Sequence, residues 1–347
     1  MEYNSHIVNN RFREEAKRKD DSCMKKFFAM MMALVLVLCM AACGSKDPEV
    51  VKMRFVTGGE SGTYFAFGGT IAQHATNNAE GIEVIGLSGN GSQANIQELQ
   101  KKTAELAFCQ SDVMAYAYAG TNLFAKDGKV DCFSTVGALY MEQVQIVTCD
   151  PSIKTVADLK GKRVSIGAAG SGVYFNAIDV LGCYGLTEAD IIPTYQGFGD
   201  SANALKDNQI DAAFVVSGAP TTAIVELATT KTAYLVSIED ANVDKLLKTS
   251  PYYAKSIIKA GTYNGQTSDV TTVAVGAVVL ARNDIPEDAI YALTADIFDD
   301  PASLVSSHAK YGEVSKEFGA SITSVPYHPG AAKYFADNGF TVPTLSK

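Results

Sequence analysis

The chain has 347 residues, and its 29 Lys or Arg against 38 Asp or Glu give a formal net charge of −9 at pH 7. A chain of this length can form one large domain or two medium domains that share a cleft. An acidic surface repels the phosphate backbone, so the composition argues against nucleic acid as a partner. The sequence lacks an HExxH string and a Cys/His cluster, and it therefore predicts neither a metal nor a cofactor.

The N-terminal segment has the pattern of a lipoprotein signal peptide. Two lysines after Met24 precede an uncharged run from Phe27 to Ala42, which is shorter than the roughly 20 apolar residues of a bilayer span. Cys43 follows the letters Met-Ala-Ala, as in a lipobox, which predicts cleavage before this cysteine and its lipidation. An uncleaved signal anchor is the alternative. Residues 1–23 are interpreted as an extension upstream of a start at Met24.

The mature protein is therefore expected outside the cell, anchored by lipid to the outer face of the bacterial cell membrane. Residues 44–49 form a short polar tether. Strand-like and helix-like runs then alternate, which predicts an α/β architecture. Strands are predicted at Val51–Thr57, Ile82–Leu87, Glu105–Gln110, Arg163–Gly167, Ile191–Tyr195 and Ile210–Val216. Helices are predicted at Tyr64–Asn77, Gln93–Lys102, Tyr174–Leu181 and Ser201–Asn208.

The loops of this alternation repeat as well. The letters SGTYF at 61–65 return as SGVYF at 171–175, each after the first strand of its half. The letters AELAF at 104–108 correspond to IDAAF at 210–214, each followed by a polar turn that opens another helix. Two copies of one scheme predict two similar lobes. Chance recurrence of small residues in α/β loops is the alternative.

Two extended runs, Val144–Thr148 and Val273–Ala281, are placed where the chain would leave the first lobe and return to it. Lobe 1 is accordingly predicted at residues 50–146 and 274–347, and lobe 2 at residues 147–273. Further helices at Glu287–Phe298, Ser306–Ser315 and Ala331–Asn338 are assigned to lobe 1. The predicted fold is thus a two-lobed α/β clamshell with two hinge crossings.

Both repeated strings occupy a strand-to-helix turn, where free backbone N–H groups and the positive end of the helix dipole favour an anion. Plain turn chemistry is the alternative for either loop. Polar residues after the second and third strands lie at the same sheet edge, where open α/β sheets place ligands. Ser92 could also be a helix N-cap. From these loops the predicted ligand-binding residues are Ser61, Gly62, Thr63, Tyr64, Asn90, Gly91, Ser92, Gln110, Ser171, Gly172, Val173, Ser217 and Gly218.

Basic clamps and catalytic motifs are not evident in this pattern. Arg54, Arg163 and Arg282 all fall in or beside predicted strands, so an arginine clamp on a carboxylate is not expected. No GxSxG elbow, P-loop or dinucleotide fingerprint occurs. Asp179, Glu188 and Asp190 are candidates for paired carboxylates, but helix and turn surfaces carry such residues routinely. The chain is predicted not to be an enzyme.

Five ordered strings resemble the TAXI family, the extracytoplasmic solute receptors of one branch of TRAP transporters. They are TGGESGTY at 57–64, LYME at 139–142 with QIV at 145–147, DLKGKRV at 158–164, GAAGSG at 167–172 and VPYHPGA at 325–331. The resemblance implies a periplasmic-binding-protein fold of type II and delivery to a TRAP permease driven by an ion gradient. It also implies a small carboxylate ligand, such as glutamate or 2-oxoglutarate.

The resemblance further implies that Tyr140 contacts the ligand, together with residues of the loops named above. Met141 stands where the family often has proline, which is expected to alter a turn before Glu142. His328 carries the family's His-Pro-Gly string and is interpreted as a contact that locks the fold. A sensory lipoprotein that presents a small anion to a signalling receptor is the alternative function.

The lipid anchor generates the first testable prediction. The mature protein should partition with membranes, because an acyl chain on Cys43 inserts into the bilayer, whereas Cys43→Ala should appear in the soluble fraction. Membrane fractionation followed by immunoblotting measures this. Equal membrane binding of both proteins would favour the uncleaved signal anchor.

Overall fold

The computed structural model describes residues 50–126 and 128–345. The predicted signal peptide, the predicted lipidation site Cys43 and the tether lie outside these residues. Within them, no helix combines the length and the apolar character that crossing a membrane requires. The cysteines of the described part, at positions 109, 132, 149 and 183, form no disulfide bond.

The first half alternates strands and helices as predicted. Its strands are β1 (Val51–Val56), β2 (Ile82–Leu87) and β3 (Leu106–Gln110), and its helices are α1 (Thr63–Asn78), α2 (Ser92–Gln100) and α3 (Ser111–Ala119). β1 pairs in parallel with both β2 and β3. Each helix therefore begins at the carboxyl end of the strand before it, which brings three loops to one sheet edge.

The second half repeats this scheme after the long strand β4 (Phe133–Thr148). It contains β5 (Arg163–Ser165), α4 (Val173–Cys183), β6 (Ile192–Thr194), α5 (Phe198–Lys206), β7 (Ala212–Ser217) and α6 (Thr222–Thr230). The elements β8 (Tyr234–Val236), α7 (Asp240–Thr249) and β9 (Ala254–Ile258) precede the long strand β10 (Val270–Arg282). β5 pairs in parallel with β6 and β7, like β1 with its neighbours.

The C-terminal segment adds α8 (Glu287–Phe298), α9 (Lys316–Gly319) and α10 (Pro329–Asp337). The predicted helix at Ser306–Ser315 is wrong, because a short 3-10 helix at Ala309–Glu313 occupies this segment. Its conformation follows from burial: the ring of Tyr311 packs on that of Phe67, with centroids 4.4 Å apart. Gly312 adds no side chain that favours a longer helix.

The ten strands of the described residues belong to one sheet with the order β2-β1-β3-β10-β4-β7-β5-β6. β8 pairs with β4 and β9 pairs with β10, outside this order. The end β2-β1-β3 and the end β6-β5-β7 mirror each other, and β10 and β4 pair antiparallel between them. Below, lobe 1 denotes the end formed by β1–β3 and lobe 2 the end formed by β5–β7. The exact residue boundaries of the lobes stay a prediction.

The two central strands pass from one end of the sheet to the other. Residues 143–148 of β4 pair with β7 in lobe 2, whereas residues 277–281 of β10 pair with β3 in lobe 1. The turn expected before Glu142 is wrong, because β4 continues through Met141, and the register shifts next to Tyr140 instead. A strand that is paired on both sides accommodates an irregularity as a bulge more readily than as a turn.

An arginine ties the first strand of each lobe to the start of the third. The Glu105 carboxylate accepts hydrogen bonds from the backbone N–H and the Nε of Arg54, at 2.8 and 2.9 Å. Asp211 accepts the same pair from Arg163, at 2.8 and 3.1 Å. Charge-assisted bonds of this geometry fix the register of neighbouring strands. The predicted repeat therefore extends to side-chain contacts, and both arginines have structural roles.

Candidate ligand-binding site

A cavity of about 410 Å³ lies between the two lobes, at the carboxyl ends of their parallel strands. Loops of both lobes line it. Of the predicted site residues, those that line the cavity are Ser61, Gly62, Thr63, Tyr64, Asn90, Gly91, Ser92, Gln110, Ser171, Gly172, Val173 and Ser217. The structure thus brings together loops that are far apart in the sequence, as the sheet-edge argument predicts.

Two predicted residues are not among those that line the cavity. Tyr140 is only 1% exposed, and the Lys310 Nζ lies 5.7 Å from the centre of its ring. The carbonyl of Gly218 accepts a hydrogen bond from the hydroxyl of Thr63, at 3.3 Å. In this structure Tyr140 therefore contacts Lys310, and Gly218 contacts Thr63, and neither residue lines the cavity.

Besides α3, whose N-cap is Gln110, four helices begin at the cavity, and the N-cap of each of these four is a glycine. The caps are Gly62 of α1, Gly91 of α2, Gly172 of α4 and Gly197 of α5. A glycine supplies no side chain that could satisfy the first backbone N–H groups or shield them from a ligand. Each helix start also carries about half a positive charge. Ser92 is not an N-cap, since its hydroxyl accepts the backbone N–H of Gln110 at 3.0 Å.

The lobes touch each other around this cavity. The Thr63 N–H in lobe 1 donates to the hydroxyl of Ser217 in lobe 2 at 3.2 Å, and that hydroxyl donates back to Thr63 Oγ1 at 2.9 Å. The Ala94 N–H donates to the carbonyl of Gly170 at 2.9 Å. The structure therefore shows a closed arrangement of the lobes. In it, the Ser217 hydroxyl of lobe 2 accepts the hydrogen bond of the Thr63 N–H, which is one of the amides of the first predicted anion turn.

Two buried polar atoms at the cavity have no hydrogen-bond partner within the described residues: Gln110 Oε1 in lobe 1 and Ser171 Oγ in lobe 2. Leaving a buried polar group unpaired costs about 1–3 kcal/mol. A bound molecule that supplies a donor to Gln110 and bonds the Ser171 hydroxyl would recover this energy.

The cavity wall carries acidic side chains and, among the described residues that line it, no Lys, Arg or His. Glu60, Glu142 and Asp200 are the acidic members. Glu142 is only 2% exposed, and its Oε2 accepts a hydrogen bond from the Tyr64 hydroxyl at 2.8 Å. Burial raises the pKa of Glu142 to about 8, with a smaller contribution from Asp112, while Tyr64 and Lys310 oppose the shift. Glu142 is therefore mostly protonated at neutral pH.

Sequence analysis missed Glu142 and the loop of Gly197, Phe198 and Asp200 as cavity residues. The predicted helix at Ser201–Asn208 began three residues too late, because α5 starts at Phe198. The repeat carried a usable signal: the loop after β6 corresponds to the loop after β2, whose predicted site residues also line the cavity. Glu142 gave another signal, as an isolated carboxylate inside a long apolar strand.

The chain is similar to known proteins in sequence and in fold. Residues 55–339 match the NMT1-like family. A structure described as a periplasmic transporter covers 86% of this chain and 99% of its own, at 14% identity and a TM-score of 0.51. A protein of Bordetella bronchiseptica RB50 covers 86% and 85%, at 17% identity and a TM-score of 0.51.

The alkanesulfonate-binding protein of Xanthomonas axonopodis pv. citri, bound to MOPS, covers 84% of this chain and 91% of its own, at 15% identity and a TM-score of 0.47. At sequence identities this low, the similarity shows a shared fold and not a shared function. The sheet order shows a mixed α/β fold, a two-lobed clamshell, and the periplasmic transporter shares this fold.

The glycine at position 172 provides a test of the contact between the lobes. Its φ of −70° suits any residue, but a Cβ there would overlap Gln110 Oε1 and lie 2.7 Å from Ser92 Oγ, both in lobe 1. Gly172→Ala should therefore destabilise the closed arrangement by about 1–3 kcal/mol, as overpacking does. Small-angle scattering should report a larger radius of gyration than for the wild type.

Gly182→Ala is the matched control on the same helix. A Cβ at Gly182 would meet nothing within 4 Å. This variant should keep the wild-type radius and gain about 0.5–1 kcal/mol of stability from helix propensity. Identical radii for both variants would show that Gly172 does not limit closure.

Proposed function

The chain belongs to the NMT1-like family, and we propose that it is an extracytoplasmic solute-binding protein. It captures a small carboxylate between its lobes and delivers it to a membrane permease. The observation that carries the proposal is the meeting of four glycine-capped helix starts at one cavity between the lobes. Such starts bind carboxylates through backbone amides, without basic side chains.

The size and position of the cavity support this proposal. A volume of about 410 Å³ falls at the lower end of the range of small-molecule sites, which extends from about 300 to 1,000 Å³. Both lobes contribute walls, so a ligand that touches both stabilises the closed form over an open one. A periplasmic transporter shares the fold, which agrees with a role in transport.

The acidic wall narrows the class of carboxylate. A ligand with a carboxylate alone would meet the helix starts and also the acidic side chains of Glu60, Glu142 and Asp200, which line the same cavity. An amino acid satisfies both, because its carboxylate can accept from the backbone amides while its ammonium donates to Glu142 and to Gln110 Oε1. Of the two ligands that the sequence resemblance implies, glutamate therefore fits this wall better than 2-oxoglutarate.

The proposed partner and the proposed membrane anchor are inferred from the sequence. The five strings that resemble the TAXI family favour a TRAP permease as the partner, and Cys43 would hold the receptor at the membrane by its lipid. A receptor that is anchored beside its permease meets it at a high effective concentration. Co-purification of the receptor with a TRAP permease tests this partner.

Calorimetric titration with glutamate tests the site. Ser171→Asp should abolish binding, because it places a second negative charge close to the ligand carboxylate. Ser171→Ala removes one neutral hydrogen bond and should cost about 1 kcal/mol. The proposed site would be refuted by equal affinities of the wild type and Ser171→Asp.

Glu142 provides the test of ligand class. Because its pKa is about 8, ammonium binding requires its deprotonation, and affinity for glutamate should rise by up to about tenfold per pH unit below that value and level off above it. Glu142→Gln should weaken glutamate binding and remove this pH dependence, whereas 2-oxoglutarate should bind no less tightly. A wild type that prefers 2-oxoglutarate would overturn the amino-acid assignment and leave the anion site standing.

A further inference from the structure

A second group of buried polar side chains joins the lobes outside the cavity. Asp112 lies in the first turn of α3 in lobe 1, and Asn176 lies in α4 of lobe 2. The Asn176 Nδ2 donates to Asp112 Oδ2 at 2.9 Å and to the Tyr253 hydroxyl at 2.8 Å. Tyr253 in turn donates to Asp179 Oδ2 at 2.9 Å. Asp112 and Asn176 are both 0% exposed.

The remaining oxygen of each partner in the Asp112–Asn176 contact lacks a hydrogen bond. Asp112 Oδ1 and Asn176 Oδ1 are buried and have no partner within the described residues. Both are acceptors when the carboxyl group is ionised, so neither could satisfy the other. A protonated carboxyl changes this, because its O–H donates while its second oxygen still accepts the amide N–H.

We propose that Asp112 is a proton-binding site and that its protonated carboxyl forms a two-bond acid–amide clasp with Asn176, which holds the two lobes closed. In the clasp, the Asp112 O–H donates to Asn176 Oδ1 and the Asn176 Nδ2 donates to Asp112 Oδ2. One proton thereby satisfies both orphaned oxygens and removes a buried charge.

The surroundings of Asp112 favour the neutral form. The titratable groups that face it are Asp179 of α4, Tyr253 before β9, Tyr116 of its own helix, and Cys109 and Glu142 of the neighbouring strands. None of these can carry a positive charge. Burial, with a smaller contribution from Asp179, raises the pKa of Asp112 to about 7, and backbone amides at the start of the helix and Asn176 oppose the shift.

The apolar contact beside the clasp explains why water does not replace it. Phe175, the neighbour of Asn176 in lobe 2, packs between lobe 1 rings, with centroids 6.1 Å from Tyr116 and 6.0 Å from Phe124. Closure therefore withdraws Asp112 from water, and opening exposes it. Since the open form holds an ordinary aspartate, closure takes up a proton at pH values between the ordinary pKa and about 7.

Infrared spectroscopy and small-angle scattering test the clasp without any ligand. One pH unit below the Asp112 pKa of about 7, the wild type should show the C=O band of a buried protonated carboxyl and the compact radius. Two units above, that component should vanish and the radius should rise. Asp112→Asn should lack the component but stay compact at both pH values, because an amide–amide pair makes the same two bonds without a proton.

Two control variants distinguish the infrared signal of Asp112 from the signals of the other buried carboxyl groups. Asp179→Asn and Glu142→Gln should each keep the infrared component that Asp112→Asn removes, together with the expansion at high pH. In Asp179→Asn the midpoint of expansion should move to lower pH, because Asp179 contributes to the raised pKa of Asp112. Asn176→Asp provides a second variant that perturbs the same clasp: two carboxyls that share one proton should move the midpoint of expansion to higher pH.

Expansion of Asp112→Asn with the wild-type midpoint would overturn the proposal. A midpoint of expansion that is unchanged in Asn176→Asp would also overturn it. The same holds if the infrared component is lost in Asp179→Asn but retained in Asp112→Asn. These readouts involve no ligand, so they stay independent of the proposed receptor function.

Discussion

Backbone amides at helix starts provide the positive potential of this cavity, and the rest of the site depends on that source of charge. Four helices reach the cavity with a glycine at the N-cap, so the cap residue itself supplies no side chain that competes for their first N–H groups. Of these groups, the Thr63 N–H donates to the Ser217 hydroxyl of the opposite lobe. This arrangement follows from parallel strand order: in both lobes each helix begins at the carboxyl end of a strand. An anion can therefore bind at the cavity although its described wall contains no basic side chain.

The continuous sheet determines where the acidic groups lie. β4 and β10 pair with each other and extend into opposite lobes, so the residues at their crossing are covered on every side. Glu142 lies at this crossing with its carboxyl group at the cavity and almost no exposure. Burial raises the pKa of Glu142, and the opposing effects of the Tyr64 hydrogen bond and the buried Lys310 do not cancel this shift. The unusual chemistry of this side chain is thus a consequence of topology.

Local sequence patterns predicted the repeated parts of the structure well. The two SGxYF loops, the alternation of strands and helices and the structural placement of Arg54 and Arg163 all follow from spacing and from which strand a residue sits in. Contacts between the lobes did not follow. The Asp112–Asn176 contact joins residues 64 positions apart, and no local period marks either one. The helix predicted at Ser306–Ser315 failed because tertiary burial of Tyr311 outweighed helical propensity.

The backbone amides and the buried carboxyl groups have opposite effects on the free energy of lobe closure. Closure removes both from water, which strengthens the pull of the helix starts on an anion and also raises the cost of each ionised carboxylate. A closed lobe pair without ligand can lower that cost by binding a proton, and the pKa of about 7 at Asp112 has this direction. A ligand with its own ammonium group lowers the cost at Glu142 in another way, by pairing with the charge. Because protons and ligand then act on one closing equilibrium, their affinities are linked, and each changes the other by the same factor.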